Sequence, residues 1–181
     1  MKLIIRNSNN NDLDKIYELH KLCFLNIDHW YKNQFNNYIN NIIIIENVNN
    51  NNILGLLIQG LIYPCNKNNN LFNDNLNDKF IPNNEIGTLF LNNNIHYKEH
   101  FGILMLCIHP DYRNKGFATK LINKHFEYCI NNNHKIICLN TRESNINAFK
   151  LYSKLGYINI ANITNKYFFP SEDSIFMIKI I

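Results

Sequence analysis

The chain has 181 residues, a formal net charge of +4 and 46% hydrophobic residues. That length suits one domain with a full core, and the mild positive charge lacks the concentrated basic stripe of a nucleic-acid binder. No window of about 18 consecutive apolar residues exists, so no membrane-spanning helix is expected, and the opening MKLIIRNSNNNDL is too short an apolar run for a signal peptide.

Leu3–Arg6 reads as a short strand, and a helix follows from Asp12, with Asn11 or Asp12 as its cap. Its apolar face is Leu13, Ile16, Leu19, Leu22 and Cys23. A second helical segment covers about Trp30 to Ile39. Ile42–Glu46 and Ile53–Tyr63 are apolar runs joined by NVNNNN, the pattern of a hairpin. Residues 64–100 read as a polar insertion loop rich in Asn, with Pro64 and Pro82; a loop of that length is uncommon in a compact domain. The Asn runs here and elsewhere mark solvent segments. Phe101–His109 is a strand, Gly116–Ile130 a helix with Phe117, Leu121, Ile122, Phe126 and Ile130 inward, and Lys135–Asn140 a strand. Ile146–Leu155 is a helix closed by Gly156, a good left-handed cap. Tyr157–Ile163 and Ile175–Ile180 are the last strands, joined by TNKYFFPSED. This alternation implies an α/β (α+β) fold, a mixed sheet with helices on its faces.

The five cysteines, Cys23, Cys65, Cys107, Cys129 and Cys138, form no C-x-x-C pair. They read as free thiols of a reducing, cytoplasmic protein. No His or carboxylate cluster has metal-ligand spacing, so no metal is expected.

The most informative stretch is Leu104–Leu121, LMLCIHPDYRNKGFATKL. An apolar strand passes through a turn into a helix, and the turn carries R-x-x-G-x-A at Arg113, Gly116 and Ala118. A glycine turn opening a helix exposes backbone N–H groups at the positive end of the helix dipole. That is a seat for a diphosphate, with Arg113 and Lys115 adding charge.

This stretch resembles the acetyl-CoA signature of the GNAT acetyltransferase superfamily. The segment Leu139–Tyr157, LNTRESNINAFKLYSKLGY, resembles the second half of that family's cofactor site. The resemblance implies a mixed, mostly antiparallel central sheet with splayed strands and helices on both faces, forming a single domain over 1–181. It implies acetyl-CoA held by Leu106, Cys107 and Ile108 of the signature strand, by Arg113, Asn114, Lys115, Gly116, Phe117, Ala118 and Thr119 of the turn, and by Asn145 and Tyr152. Tyr152 would also be the acid that protonates the leaving thiolate, a sensible role for a phenol in a dry pocket.

Within the superfamily the chain is most similar to N-terminal protein acetyltransferases. The tail NKYFFPSEDSIFMIK and the aromatic segment FLNIDHWYKNQF carry that likeness. It implies protein or peptide N-termini as substrate, held by Phe24, Leu104, Tyr167 and Phe168, and an auxiliary subunit as a possible partner. Leu25 stands where those relatives have Pro. The eukaryotic relatives use a Tyr and a His as bases; the corresponding positions here are Gly102 and Asn140, and neither residue type is a base. The proton would leave through a water held by Asn140, or through His100, Glu99, Tyr97 or Glu143. Two other readings stay open: a small-molecule N-acetyltransferase, for example on an aminosugar phosphate, and a CoA-binding subunit of weak activity.

Overall fold

The computed structural model describes residues 1–24, 30–62, 79–95, 99–168 and 171–181, with the backbone course alone for 165–168. By internal contacts the chain divides into two units, residues 1–60 with 103–133, and residues 61–102 with 134–181.

In the first unit the strand order is β1 (Leu3–Asn7), β2 (Ile42–Asn47), β3 (Asn52–Ile62) and β5 (His100–Ile108, entering this unit at Ile103). β1–β2 and β2–β3 are antiparallel, with Ile5 opposite Ile45 and Ile44 opposite Leu56. Every residue of β2 is buried, as is nearly all of β3. Such continuous apolar runs follow from helices covering both faces, which removes the need for alternation. Ile16 and Leu19 of α1 (Leu13–Cys23) and Phe35 of α2 (Lys32–Asn36) pack on Ile42, Ile44, Leu56 and Ile58. α4 (Phe117–Asn131) lies on β2, and Leu121 approaches Gly55 of β3. Burying each such Ile or Leu contributes about 1.5–3 kcal/mol.

Three expectations change in this unit. Asp12 is the N-cap of α1, as one of the two candidates had it, but its side chain makes no capping bond to the helix. Asn9 caps a preceding 3-10 turn (Asn10–Asp12). Asp12 instead accepts the Asn9 N–H at 2.8 Å and pairs with Arg6 at 2.7 Å, because a nearby guanidinium outcompetes a helix end for a carboxylate. Leu22, assigned inward, is 40% exposed. So is Ile130, at 58%; the inward face of α4 instead uses His125 and Cys129. His125 is fully buried, and its Nδ1 donates to Gln59 Oε1 at 2.9 Å, so a buried polar pair replaces the expected apolar one.

In the second unit the strand order is β6 (Ile136–Arg142), β8 (Ser171–Ile180), β7 (Ile158–Phe168) and β4 (Phe80–Pro82), with β6–β8, β8–β7 and β7–β4 all antiparallel. Leu139 lies opposite Met177, and Tyr167 opposite Glu172. β7 and β8 reach further than the sequence suggested. Much of TNKYFFPSED is strand, because hairpin pairing satisfies its backbone despite weak strand composition. Gly156 takes φ +86 behind α5 (Ile146–Lys154), the left-handed cap expected there.

The polar insertion is corrected in its described part. Residues 80–92 form β4 and α3 (Glu85–Asn92) rather than a loop. Phe80 and Phe90 are buried, and Phe80 meets Phe176 edge-on at 6.0 Å. The side chains of Asn83 and Asn84 bond to Asn159 and Asn162 of β7. Asparagines that read as solvent filler thus fasten a strand and a helix to the sheet edge. Gly87 permits a close approach: a Cβ there would stand 2.0 Å from the Ile160 carbonyl oxygen. Gly87→Ala should therefore destabilise the protein by about 1–3 kcal/mol. In thermal denaturation this is a Tm lower by roughly 2–10 °C; an unchanged Tm would show that α3 does not bear on β7 as closely as described.

Candidate functional site

The turn after β5 is built by local hydrogen bonds. His109 N–H donates to Leu54 O at 2.9 Å and fixes the end of β5 against β3. His109 Nδ1 accepts from Asp111 N and starts a 3-10 turn, Pro110–Tyr112, so this histidine has a structural task. Asn114 adopts φ +59 and Gly116 φ +77, the left-handed conformation that Asn and Gly tolerate best. Gly116 is the N-cap of α4 and supplies no side-chain cap.

The helical ladder starts with Lys120 N–H to Gly116 O at 3.1 Å, so the amides of Phe117, Ala118 and Thr119 precede it. A Cβ at Gly116 would meet nothing within 4 Å. The glycine is thus demanded by its φ, and it leaves open space in front of the helix end. Arg113, Asn114, Lys115 and Gly116 are exposed, whereas Phe117 is buried and anchors the first helical turn. Arg113 Nε donates to Ile108 O at 3.2 Å, and Lys115 Nζ donates to Asp111 O at 2.8 Å and lies over the Tyr112 ring. Two cations are held beside an unladdered helix start, an arrangement that fits a diphosphate.

The strand leading to this turn is covered unevenly. Ile103, Met105 and Cys107 are buried, while Leu104, Leu106 and Ile108 are half-buried. Leu104 and Phe24 pack against one cluster with Trp30 and Tyr38, and Leu104 lies over Gly60. These two residues expected to hold the acceptor thus both border the core cluster of the first unit; the segment Leu25–His29 lies outside the described residues. Cys23 is a feature the sequence did not single out. Its thiol donates to Ile108 O at 3.3 Å. A hydrogen bond from the Cys107 thiol, with Arg113 nearby, outweighs burial and lowers the Cys23 pKa to about 7, while burial raises that of Cys107. Cys129 and Cys138 are also free thiols raised by burial, and Cys65 lies outside the described residues.

The remaining expected residues lie in the second unit. Asn140 of β6 is half-buried and accepts from Ser174 Oγ at 3.2 Å. Asn145 caps α5, its Oδ1 accepting from Ala148 N at 3.1 Å. The cap occupies the oxygen and leaves the amide NH2 for other work. Tyr152, 6% exposed, lies on α5 with its ring edge-on to Tyr157 at 5.7 Å. Tyr167 and Phe168 end β7, opposite Glu172 and Ser171.

Gly102 has a structural reason. A Cβ there would come within 1.9 Å of the Cys138 carbonyl oxygen, so this position of β5 admits no side chain. His100 is also committed: its Nε2 bonds to Ile95 O at 3.1 Å and its ring packs on Phe90. Glu143 is exposed, and Tyr97 lies outside the described residues. No group of three or more His, Cys, Asp or Glu that could hold a metal occurs among the described residues. No helix among them is long and apolar enough to cross a membrane.

Comparison with known proteins agrees with this arrangement. The acetyltransferase (GNAT) family model matches residues 13–157, a span that runs through both units. No curated protein sequence matches the chain. Among solved structures, NAA60 of Arabidopsis thaliana with acetyl-CoA is similar at 18% identity and a TM-score of 0.73, covering 99% of each chain. The ribosomal-protein-S18-alanine N-acetyltransferase of Escherichia coli is similar at 16% identity and a TM-score of 0.70, over 99% of this chain and 94% of that one. Arylalkylamine N-acetyltransferase 2 of Aedes aegypti is similar at 17% identity and a TM-score of 0.68, covering all of both chains. Strand order within each unit, the glycine turn before α4 and a family match over most of the length converge on one assignment: the chain belongs to the GNAT family and is an acetyl-CoA-dependent N-acetyltransferase.

Proposed function

We propose that the protein acetylates the α-amine of protein or peptide N-termini in the cytoplasm, as one catalytic domain. The turn from Arg113 to Thr119 receives the diphosphate of acetyl-CoA. The observation that carries this is the left-handed Gly116 with empty space before three amides outside the helical ladder. Bound acetyl-CoA supplies an activated thioester. The backbone of Leu106, Cys107 and Ile108 lines its acyl arm, and the amide NH2 of Asn145 donates to it. A backbone N–H near Ile108 stabilises the charge that builds on the carbonyl oxygen. Tyr152 delivers the proton to the departing thiolate.

The α-amine must lose a proton before it attacks. Gly102 and Asn140 cannot take it, so Asn140 serves by holding a water through its amide. Its oxygen already accepts from Ser174, which fixes the orientation of the side chain. Base catalysis contributes about 10²–10⁴-fold, and positioning alone retains the rest. Phe24 and Leu104 form an apolar wall for the first acceptor residue, and Tyr167 and Phe168 flank the peptide backbone. An auxiliary subunit that presents the acceptor is compatible with this reading.

A small amine is the second reading, favoured by the similarity to an arylalkylamine N-acetyltransferase over the full length of both chains. Turnover of acetyl-CoA with Met-starting peptides, arylalkylamines and glucosamine 6-phosphate separates the two. Peptides should give the highest kcat/KM; a small amine exceeding them by tenfold or more would replace the peptide assignment. CoA binding without turnover of any acceptor would instead indicate a binding subunit.

Two substitutions test the cofactor site. Gly116→Glu should weaken CoA binding at least tenfold by calorimetry, since a carboxylate would meet the diphosphate and a Glu is strained at this φ. Unchanged affinity in a folded variant would remove the phosphate seat. Tyr152→Phe should lower kcat about 10–100-fold with CoA affinity within about threefold; a change in affinity alone would leave the phenol a packing role.

A further inference from the structure

The turn between β6 and α5 carries Asn145, and its anchorage uses a residue outside the cofactor residues named so far. β6 pairs with β8 as far as Arg142 opposite Ser174. The next main-chain bond, Glu143 N–H to Asp173 O at 3.2 Å, continues the pairing. At the following step a side chain takes over: Ser144 N–H donates to Glu172 Oε1. The other oxygen of Glu172 pairs with Arg142 at 3.2 Å, with both side chains largely shielded at 11% and 15% exposure. One carboxylate therefore grips the turn at two points, immediately before the residue that caps α5. Asn145 N–H in turn donates to Arg142 O at 3.0 Å, which closes the turn.

Glu172 also stands opposite Tyr167 in the β7–β8 hairpin. The hairpin that ends in Tyr167 and Phe168 and the turn that begins α5 thus share a single anchor. Burial alone would raise the Glu172 pKa, but the Ser144 hydrogen bonds and Arg142 outweigh it and hold the group below the usual carboxylate range. The charged form is therefore the one that holds the turn at neutral pH.

We infer that Glu172 is a positioning residue for cofactor binding, acting through the Arg142–Ser144 turn to set the orientation of Asn145. This rests on the reading that Asn145 donates to acetyl-CoA. Asn145 can present its NH2 outward only while its oxygen caps α5, and the cap depends on the turn being held at both Ser144 and Arg142. Neutral alternatives hold it less well. A Gln at 172 keeps an oxygen for Ser144 N–H and loses the charge on Arg142; an Ala loses both.

The test is CoA affinity of the full chain, measured by calorimetry, for Glu172→Ala, Glu172→Gln, Asn145→Ala and the double variant Glu172→Ala/Asn145→Ala. Glu172→Ala should weaken CoA about tenfold, the scale of a lost charge-assisted hydrogen bond. Glu172→Gln should fall between this variant and the parent, weakening CoA about threefold, because it keeps the Ser144 bond and loses the charge on Arg142. The double variant should bind no more weakly than Asn145→Ala alone, because one residue acts through the other. Additive losses, or Glu172→Ala with parental affinity and a lower Tm only, would overturn the inference and leave a stabilising ion pair. Parental affinity in Asn145→Ala would overturn the cofactor role of Asn145 and this inference with it, while Gly116→Glu would still report separately on the diphosphate seat. If Glu172→Ala does not fold, Glu172→Asp keeps the charge and shortens the reach; weakened CoA binding upholds the inference, and parental affinity overturns it.

Discussion

A strand that passes into a helix must change backbone conformation within a few residues, and the cofactor seat proposed here depends on how the chain does so between β5 and α4. The amides of Phe117, Ala118 and Thr119 can receive an anion only if no side chain stands in front of them and no protein carbonyl has taken them. Gly116 adds no side chain of its own there and also relieves strain, since φ +77 is costly for most residues. The second is met because the 3-10 turn at Pro110–Tyr112 satisfies the preceding groups locally and ends before the helix begins. His109 fixes where this happens by bonding both to β3 and to Asp111. A shift of β5 along β3 would move the amides with it, so burial of β2 and β3 on both faces helps to fix where the turn stands.

Elements whose sequence pattern follows one physical cause were legible. β2 and β3 are long apolar runs because both of their faces are covered, and α4 and α5 carry helical periodicity with a glycine where each needs one. The turn before α4 was legible for the same reason: only a short list of residues can adopt the left-handed backbone found at Gly116. Three features were not. The helix α3 and strand β4 lie in an Asn-rich stretch whose composition resembles solvent loop, and their stability comes from bonds to Asn159 and Asn162 some 75 to 79 residues away. His125 reads as a polar interruption of an apolar face until Gln59, 66 residues earlier, is found opposite it. Gly102 reads as a lost base; the Cys138 carbonyl explains it, and no sequence pattern reveals that proximity.

The absence of a Tyr at 102 has a consequence for how the reaction can be run. The backbones of Gly102 and Cys138 come too close for any side chain at position 102. Neither His100, tied to Ile95, nor Asn140, tied to Ser174, is a freely placed substitute. What the chain offers instead is orientation. Each of these polar groups is held by a partner, and a held amide can fix a water even though it cannot accept a proton from it. The expected signature is an enzyme whose rate rises with pH toward the pKa of the acceptor amine itself, about 7.7–8.0 for an α-amine. A lysine-like or alkyl amine, with a pKa above 10, would be mostly protonated where an α-amine is half free. If a held water takes the proton, as proposed, acceptors are discriminated by their acidity before any contact with the side chain is made. That argument supports the proposed α-amine acceptor on chemical grounds separate from any contact with its side chain.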